Sequence, residues 1–153
     1  MAPVPIALCG KHADMADAFI SGMLPEFEVV HVCHSAPVAI SELRALLRGE
    51  RTEPASGRGT NFKTAEAAKA PKAIFVGGGF APSELDEMRS VEELQRVPWL
   101  YPSAARRAAG EQARGNLAPP PMDIILGRAK GAMKEKGLLD APDGHGSGIL
   151  WEY

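Results

Sequence analysis

The fold is decided by the stretch VPIALCGKHADMADAFISGML at residues 4–24. Its first six residues form a continuous apolar run that ends at Cys9, and Gly10 follows as a turn residue. From Met15 onwards apolar side chains recur at the spacing of one helical face, until Pro25 stops the helix. An apolar run, a small turn and an amphipathic helix together predict one strand-loop-helix unit of a parallel sheet.

Three further apolar runs repeat this pattern along the chain. They predict strands at Phe27–Cys33, Lys72–Val76 and Val97–Tyr101. Helical spacing or composition predicts helices at His12–Leu24, Val38–Arg48, Ser83–Gln95, Ser103–Arg114 and Met122–Lys136. Pro98 places the last strand at a sheet edge, or delays its start until after the proline. We therefore expect an α/β fold, a small three-layer domain with a mainly parallel sheet of about four strands.

This alternation from Val4 to about Ala113 resembles the Rossmann-like and flavodoxin-like superfolds. The resemblance implies a doubly wound sheet, and it implies no particular activity, because these superfolds host enzymes, carriers and binding modules alike. A receiver domain is disfavoured because Gly10-Lys11 stands where its paired acids would follow the first strand. A flavodoxin is disfavoured because the first loop lacks a hydroxyl-rich phosphate cradle.

Capping signals mark the starts of three helices. Asp14 is predicted to cap the first helix, and Ser35-Ala36-Pro37 opens the second. Ser83 and Asp86 form a predicted capping box for the third.

Composition limits the classes of protein to which the chain can belong. Its 153 residues fit one domain, spanning 1–153, and 45% hydrophobic with 24% charged residues is typical of a globular protein. The formal charge of −2 argues against nucleic acid as a partner, and no apolar stretch is long enough for a membrane partner. Without a leader pattern we expect a cytoplasmic location, where the two cysteines stay reduced.

Two segments lie outside the strand-helix pattern. Residues 50–71 are charged and glycine-containing, which predicts a flexible loop that carries a short helix at Thr64–Lys69 and is able to act as a lid. Residues 115–153 form a C-terminal helix plus tail after a proline-rich connector at Gly115–Pro121, and the helix has a thin apolar stripe at Ile125, Ala129, Ala132 and Met133. Such a stripe either covers the sheet or meets a second subunit, so a homo-oligomer is expected. The apolar Ile149-Leu150-Trp151 is expected to dock.

The loops after the first two strands are the first candidate site. Gly10, Lys11 and His12 stand where a dinucleotide fold places its phosphate loop, although a single glycine replaces the G-x-G-x-x-G pattern. After the second strand His34 and Ser35 replace the usual ribose-binding acid. This favours NADP over NAD as a cofactor.

The loops after the third and fourth strands complete that edge. The triple glycine Gly77–Gly79 either brings backbone N–H groups to a ligand or packs closely against the sheet, and Phe80 is a candidate pocket wall. Acidic residues in the next helical turn favour a neutral or apolar group there. The predicted cofactor-binding residues are Gly10, Lys11, His12, His34, Ser35, Gly77, Gly78, Gly79, Phe80, Tyr101 and Ser103.

The thiols and imidazoles near the same edge suggest a third possibility. Cys9, His12, Cys33 and His34 converge if the first two strands are neighbours, and they offer ligands for zinc or a thiol-imidazole pair. Against this, the adjacent Cys33 and His34 point to opposite sides of a strand. His31 lies inside the strand and is predicted to be a core histidine with satisfied hydrogen bonds.

No complete catalytic signature is present, so the sequence does not identify an activity. The leading hypothesis is a domain that binds a small-molecule ligand, such as the nucleotide NADP, at the carboxyl edge of its sheet. The alternatives are a non-enzymatic homodimeric interaction module and a thiol- or zinc-dependent enzyme that uses the Cys9, His12, Cys33 and His34 cluster.

Overall fold

The computed structural model describes residues 3–50, 52–61, 70–77, 80–101, 122–135 and 150–152. Its strands are β1 (Val4–Cys9), β2 (Phe27–Cys33), β3 (Ile74–Val76), β4 (Trp99–Tyr101) and β5 (Leu150–Glu152). Its helices are α1 (Ala13–Met23), α2 (Ala36–Leu47), α3 (Pro82–Arg89) and α4 (Met122–Glu135), with a 3₁₀-helix at Glu92–Arg96.

All the strand pairings are parallel, and the strands lie in the order β2-β1-β3-β4-β5. The predicted α/β class with a parallel sheet and flanking helices is confirmed. A fifth strand extends the predicted sheet, because residues 150–152 pair with β4 and place Leu150 opposite Trp99. β4 is therefore an inner strand and does not lie at a sheet edge. It begins after Pro98, so the prediction that this proline delays the start of the strand is correct.

An irregularity in β2 decides which way its last residues face. Phe27 and Val29 pack on the same side of the sheet as α1, and simple alternation would put Cys33 there too. However, Ile6 pairs with Val29 while the next residue of β1 pairs with His31, so β2 carries one extra residue. This bulge reverses which side of the sheet the following side chains face, and Cys33 therefore packs on the side of α2.

The helices cover both sides of the sheet and create two apolar cores. One core joins α1 and α4 to the sheet through Phe19, which lies 4.8 Å from Phe75 between ring centroids. The other joins α2, α3 and the 3₁₀-helix to the opposite side. Ala129 and Met133 of the thin α4 stripe are fully buried in the first core. These two residues of the stripe therefore pack within the chain, in the core that α1 and α4 share with the sheet, while Ile125 and Ala132 are only partly buried there.

Part of the predicted loop at 50–71 lies along the outer edge of β2. The N–H groups of Thr60 and Asn61 donate to the carbonyls of Val29 (3.2 Å) and Val30 (2.9 Å). The Ser56 hydroxyl donates to the carbonyl of Val32 at 2.8 Å. These bonds occupy acceptors that an edge strand otherwise leaves exposed.

Gly59 is required for this edge contact, and its replacement should destabilise the protein. Its φ is +103°, and a Cβ there would lie 2.5 Å from the Val30 carbonyl oxygen. Gly49 is a matched control, because its φ is +82° and a Cβ would meet nothing within 4 Å. We expect Gly49→Ala to cost about 1 kcal/mol from backbone strain, and Gly59→Ala about 2 kcal/mol. Urea unfolding measures the loss of unfolding free energy in each variant. Equal losses would show that Gly59 does not pack closely against Val30 of β2.

The helix starts differ in part from the capping predictions. Ser35 caps α2 as predicted, because its hydroxyl accepts from the Val38 N–H at 3.4 Å. The prediction for Asp14 is wrong, since the N-cap of α1 is His12 and no side chain caps it. The predicted Ser83 capping box is also wrong. Glu84 instead accepts from the Ala81 N–H at 2.9 Å, because the helix begins at Pro82 and its N-cap is Ala81, two residues before Ser83.

Several predictions fall on residues beyond those described. These are a short helix at Thr64–Lys69, the helix at Ser103–Arg114 and the proline-rich connector at Gly115–Pro121. The predicted helix Ser83–Gln95 lies within the described part of the chain, where it is divided into α3 and the 3₁₀-helix. Among the described residues, no helix combines the length and apolar character that a membrane crossing requires.

Candidate functional site

The strand order puts a topological switch point at the carboxyl edge of the sheet, and the space between the loops that follow β1 and β3 is the candidate crevice. β1 lies between β2 and β3, and the chain leaves β1 into α1 on one side of the sheet but leaves β3 into α3 on the other side. The loops after β1 and β3 therefore diverge. In open α/β sheets this switch point is where ligands bind, and the order 2-1-3-4-5 places it between β1 and β3.

Gly10 and Gly77 form the floor of this crevice. The Gly77 N–H donates to the Cys9 carbonyl at 2.8 Å, and the Gly10 N–H donates to the Cys33 carbonyl at 3.0 Å. A Cβ at either glycine would meet only ordinary contacts, at 3.7 Å from the Leu8 side chain and 3.6 Å from the Cys9 carbonyl. The two glycines thus leave space above the strand ends without needing an unusual backbone conformation.

Lys11 connects the two loops across the crevice. Its Nζ lies 2.8 Å from Glu84 Oε1 and 5.1 Å from the centroid of the Phe80 ring. The Ala81 N–H and the Lys11 ammonium both bond to Glu84, and they lower the pKa of its carboxyl. Lys11 is about one-third exposed, so its ammonium is accessible to a ligand that can compete with the carboxylate.

The remaining predicted site residues differ in how close they lie to this crevice. His34 Nδ1 donates to the Gly10 carbonyl at 2.5 Å, which brings the loop after β2 against the loop after β1. Tyr101 is buried, and its hydroxyl donates to the Phe80 carbonyl at 2.5 Å. Phe80 is fully buried in the α2 and α3 core, so it supports the crevice from below. Gly78, Gly79 and Ser103 lie outside the described residues.

A second group of polar side chains lies under α2, where the sequence interpretation placed a satisfied histidine. His31 is fully buried, and its Nε2 lies 2.6 Å from Glu42 Oε1. Its Nδ1 is also buried but has no hydrogen-bond partner. The sequence analysis predicted a histidine with satisfied hydrogen bonds, and only one of its two ring nitrogens has a partner. Glu42 further accepts from the Ala55 N–H at 3.2 Å, which ties the edge loop to α2.

Cys33 belongs to this same group. Ligand atoms of His31, Cys33 and Glu42 all lie within 4.8 Å of one another, a grouping that includes neither His12 nor His34. Cys9 lies opposite Cys33 in the β1–β2 register, and both are free thiols. The Cys9 thiol and burial raise the pKa of Cys33 well above its usual value. A neutral thiol is a weak nucleophile, so this environment does not favour the thiol-imidazole hypothesis.

A cluster of two arginines and one glutamate lies away from the crevice. Arg44 donates to Glu93 at 2.9 Å and Arg48 donates to it at 2.5 Å, which joins α2 to the 3₁₀-helix. The sequence analysis did not detect this pairing, because its members lie more than 40 positions apart. Arg48 and Arg44 lower the pKa of Glu93 from 4.5 to about 2.

This cluster predicts an acid-dependent loss of stability. Because the folded-state pKa of Glu93 is depressed, its contribution is fully present above pH 4.5 and is lost as the pH falls towards about 2. We expect Glu93→Gln to lower Tm at pH 6 and to match the wild type near pH 2. Thermal unfolding followed by circular dichroism across this range measures the difference. A gap between the two proteins that does not change with pH would contradict the assignment.

Comparison with known proteins adds one relative. The chain is 32% identical over 108 residues to "Kojic acid related protein 6" of Aspergillus oryzae. The alignment covers 69% of this chain and 62% of that protein, so the chain spans less than two thirds of the relative's length. No protein-family model and no solved structure matches the chain. The similarity is therefore to one curated fungal protein, over most of the present chain.

Proposed function

We propose that the protein binds a small phosphate-bearing molecule in the crevice between the loops after β1 and β3, with NADP as the first candidate. The observation that carries this proposal is the strand order, which puts the switch point of the sheet directly above Gly10 and Gly77. The proposal concerns binding, and no reaction is assigned to the site.

The backbone at the start of α1 supports an anionic ligand. Because no side chain caps α1, the N–H groups of its first turn are available to a phosphate. Lys11 stands one residue before the N-cap and supplies the positive charge. A phosphate would replace Glu84 as its partner, exchanging one charge-assisted hydrogen bond for another.

The loop after β2 supports the choice of NADP among dinucleotides. His34 bonds to the Gly10 carbonyl, so the residues that follow β2 lie beside the proposed phosphate position. A ribose-binding acid is absent there, and His34 with Ser35 is compatible with a 2′-phosphate. Ser35 is engaged as the cap of α2, which leaves His34 as the more direct candidate.

A thermal-shift and calorimetric comparison tests this proposal. The ligands are NADP, NAD, inorganic pyrophosphate and kojic acid, the last because the relative's name contains it. We expect NADP to raise Tm most, since a ligand that binds only the native state stabilises it. If kojic acid alone raises Tm, the phosphate hypothesis is wrong and a neutral ligand is indicated. The absence of any shift would contradict small-molecule binding by these classes.

Two variants of one glycine locate the binding site. A side chain at Gly10 fits without a steric clash, so Gly10→Ala should retain the fold and bind NADP nearly as the wild type does. Gly10→Glu places a carboxylate at the proposed phosphate position and should abolish binding with an unchanged circular dichroism spectrum. If Gly10→Glu retains the wild-type affinity, NADP binds elsewhere.

The two features that suggested a homodimer make contacts within one chain. Ala129 and Met133 of the α4 stripe are buried in the core shared with the sheet, and residues 150–152 pair with β4 within the same chain. Self-association stays a proposal, and among the described residues these two features no longer argue for it.

A further inference from the structure

We propose that His31, Cys33 and Glu42 form a binding site for a divalent transition metal ion, with Zn²⁺ as the ion that this donor set favours. The site is independent of the proposed nucleotide crevice. It differs from the cluster expected from the sequence, because Cys33 combines with His31 and Glu42 of the α2 layer.

The bulge in β2 assembles this group of donors. His31 and Cys33 are two residues apart on one strand and therefore face the same side of the sheet. The extra residue at Val30 turns that side towards α2, where Glu42 lies one helical turn before Leu46 of the core. A strand and a helix thus supply a nitrogen, a sulfur and an oxygen from three fixed positions.

The distances suit a metal site after a small adjustment. Donor atoms bound to tetrahedral Zn²⁺ lie about 3.3–3.8 Å apart, given metal–ligand bonds of about 2.0–2.3 Å. The donors here lie within 4.8 Å of one another, and the closest pair, His31 Nε2 and Glu42 Oε1, is at 2.6 Å. Movements of about 1 Å therefore convert the present arrangement into coordination distances.

The unpartnered nitrogen of His31 is the independent observation that points to a ligand. The side chain is fully buried, and its Nδ1 makes no hydrogen bond. A buried polar atom without a partner destabilises the folded state, so such atoms are rare in folded proteins. Metal binding at Nδ1 would give this buried atom a partner, and the accompanying movement of the ring would release Glu42 Oε1 from Nε2 to bind the same ion.

The chemistry of the site determines how the ion binds. The Cys33 thiol loses its proton to solvent when its sulfur binds the metal, and no oxidation or reduction is involved. Glu42 is 13% exposed and provides the path from solvent. Cys9 is a candidate fourth donor, since it lies opposite Cys33 and its thiol interacts with that of Cys33.

Titration of the chelator-treated full-length chain with Zn²⁺ and Co²⁺ tests this proposal. We expect one Zn²⁺ per chain and a higher Tm, and we expect Co²⁺ to show the charge-transfer absorption of a cobalt–thiolate bond. This signal is measured on the wild type, so it does not depend on the folding of any variant. Its absence at saturating Co²⁺ would overturn the proposal.

Variants then identify the ligands. Cys33→Ala and His31→Gln should each weaken Zn²⁺ binding about 100-fold or more, as expected for loss of a metal ligand. His12→Gln and His34→Gln are matched controls outside the group, and both should bind Zn²⁺ as the wild type does. Wild-type affinity in Cys33→Ala, or loss of binding only in the His12 and His34 variants, would overturn the assignment. Circular dichroism confirms that each variant is folded.

Discussion

Lys11→Gln is expected to weaken NADP binding about 10-fold or more, and Glu84→Gln is expected to strengthen it. Lys11 supplies a positive charge at the crevice, and a charge-assisted hydrogen bond to phosphate contributes about 1.5–3 kcal/mol. Glu84 now occupies that ammonium at 2.8 Å. Glutamine retains an oxygen for the Ala81 N–H but removes the competing negative charge.

Opposite effects of these two variants are more informative than either effect alone. General damage to the fold would weaken NADP binding in both variants. Direct competition between Glu84 and phosphate for Lys11 predicts weaker binding in Lys11→Gln and stronger binding in Glu84→Gln. Lys134→Gln is the matched control, because it removes the same charge from α4 on a different part of the surface. Isothermal titration calorimetry at low salt measures all three variants. Weaker binding in Glu84→Gln would contradict a phosphate site at Lys11.

Glu42→Ala is expected to lower the free energy of unfolding by about 3 kcal/mol. It leaves the fully buried His31 ring without a hydrogen bond at either nitrogen and removes the acceptor of the Ala55 N–H. Removing one member of a buried polar pair costs more than the pair itself contributes. Urea unfolding in the presence of a chelator measures this loss without a contribution from metal.

The double variant His31→Leu with Glu42→Leu is the control for this prediction. Replacing both partners by apolar side chains leaves no unpaired group, so most of the lost stability should return. If the double variant is as unstable as Glu42→Ala, the loss arises from packing under α2 and not from the unpaired imidazole.

The sequence was sufficient to predict the parallel sheet because each buried strand is a continuous apolar run. Residues 4–9 and 27–33 are recognisable in this way, and Pro98 correctly limits the start of β4. β5 was not predicted because its three residues carry too little pattern, and only pairing with β4 defines them as a strand. The split of the helix after α3 likewise depends on packing against α2.

The sequence predicted the candidate site less completely than it predicted the sheet. Placing Gly10, His34 and Gly77 at one edge follows from parallel strands, and the structure brings these three loops together. The pairing of Lys11 with Glu84 joins residues 73 positions apart, which no local pattern shows. The group under α2 depends on one extra residue in β2, and a single inserted residue is invisible in an apolar run.

The most direct test of the account is a titration of the isotope-labelled protein with NADP, followed through its backbone amide resonances. The switch-point site predicts that the largest shifts occur at residues 10–12, 34–35, 77 and 80–81, with little change in α4. Shifts concentrated in α4 or along the outer edge of β2, or no shifts at saturating NADP, would contradict binding between β1 and β3.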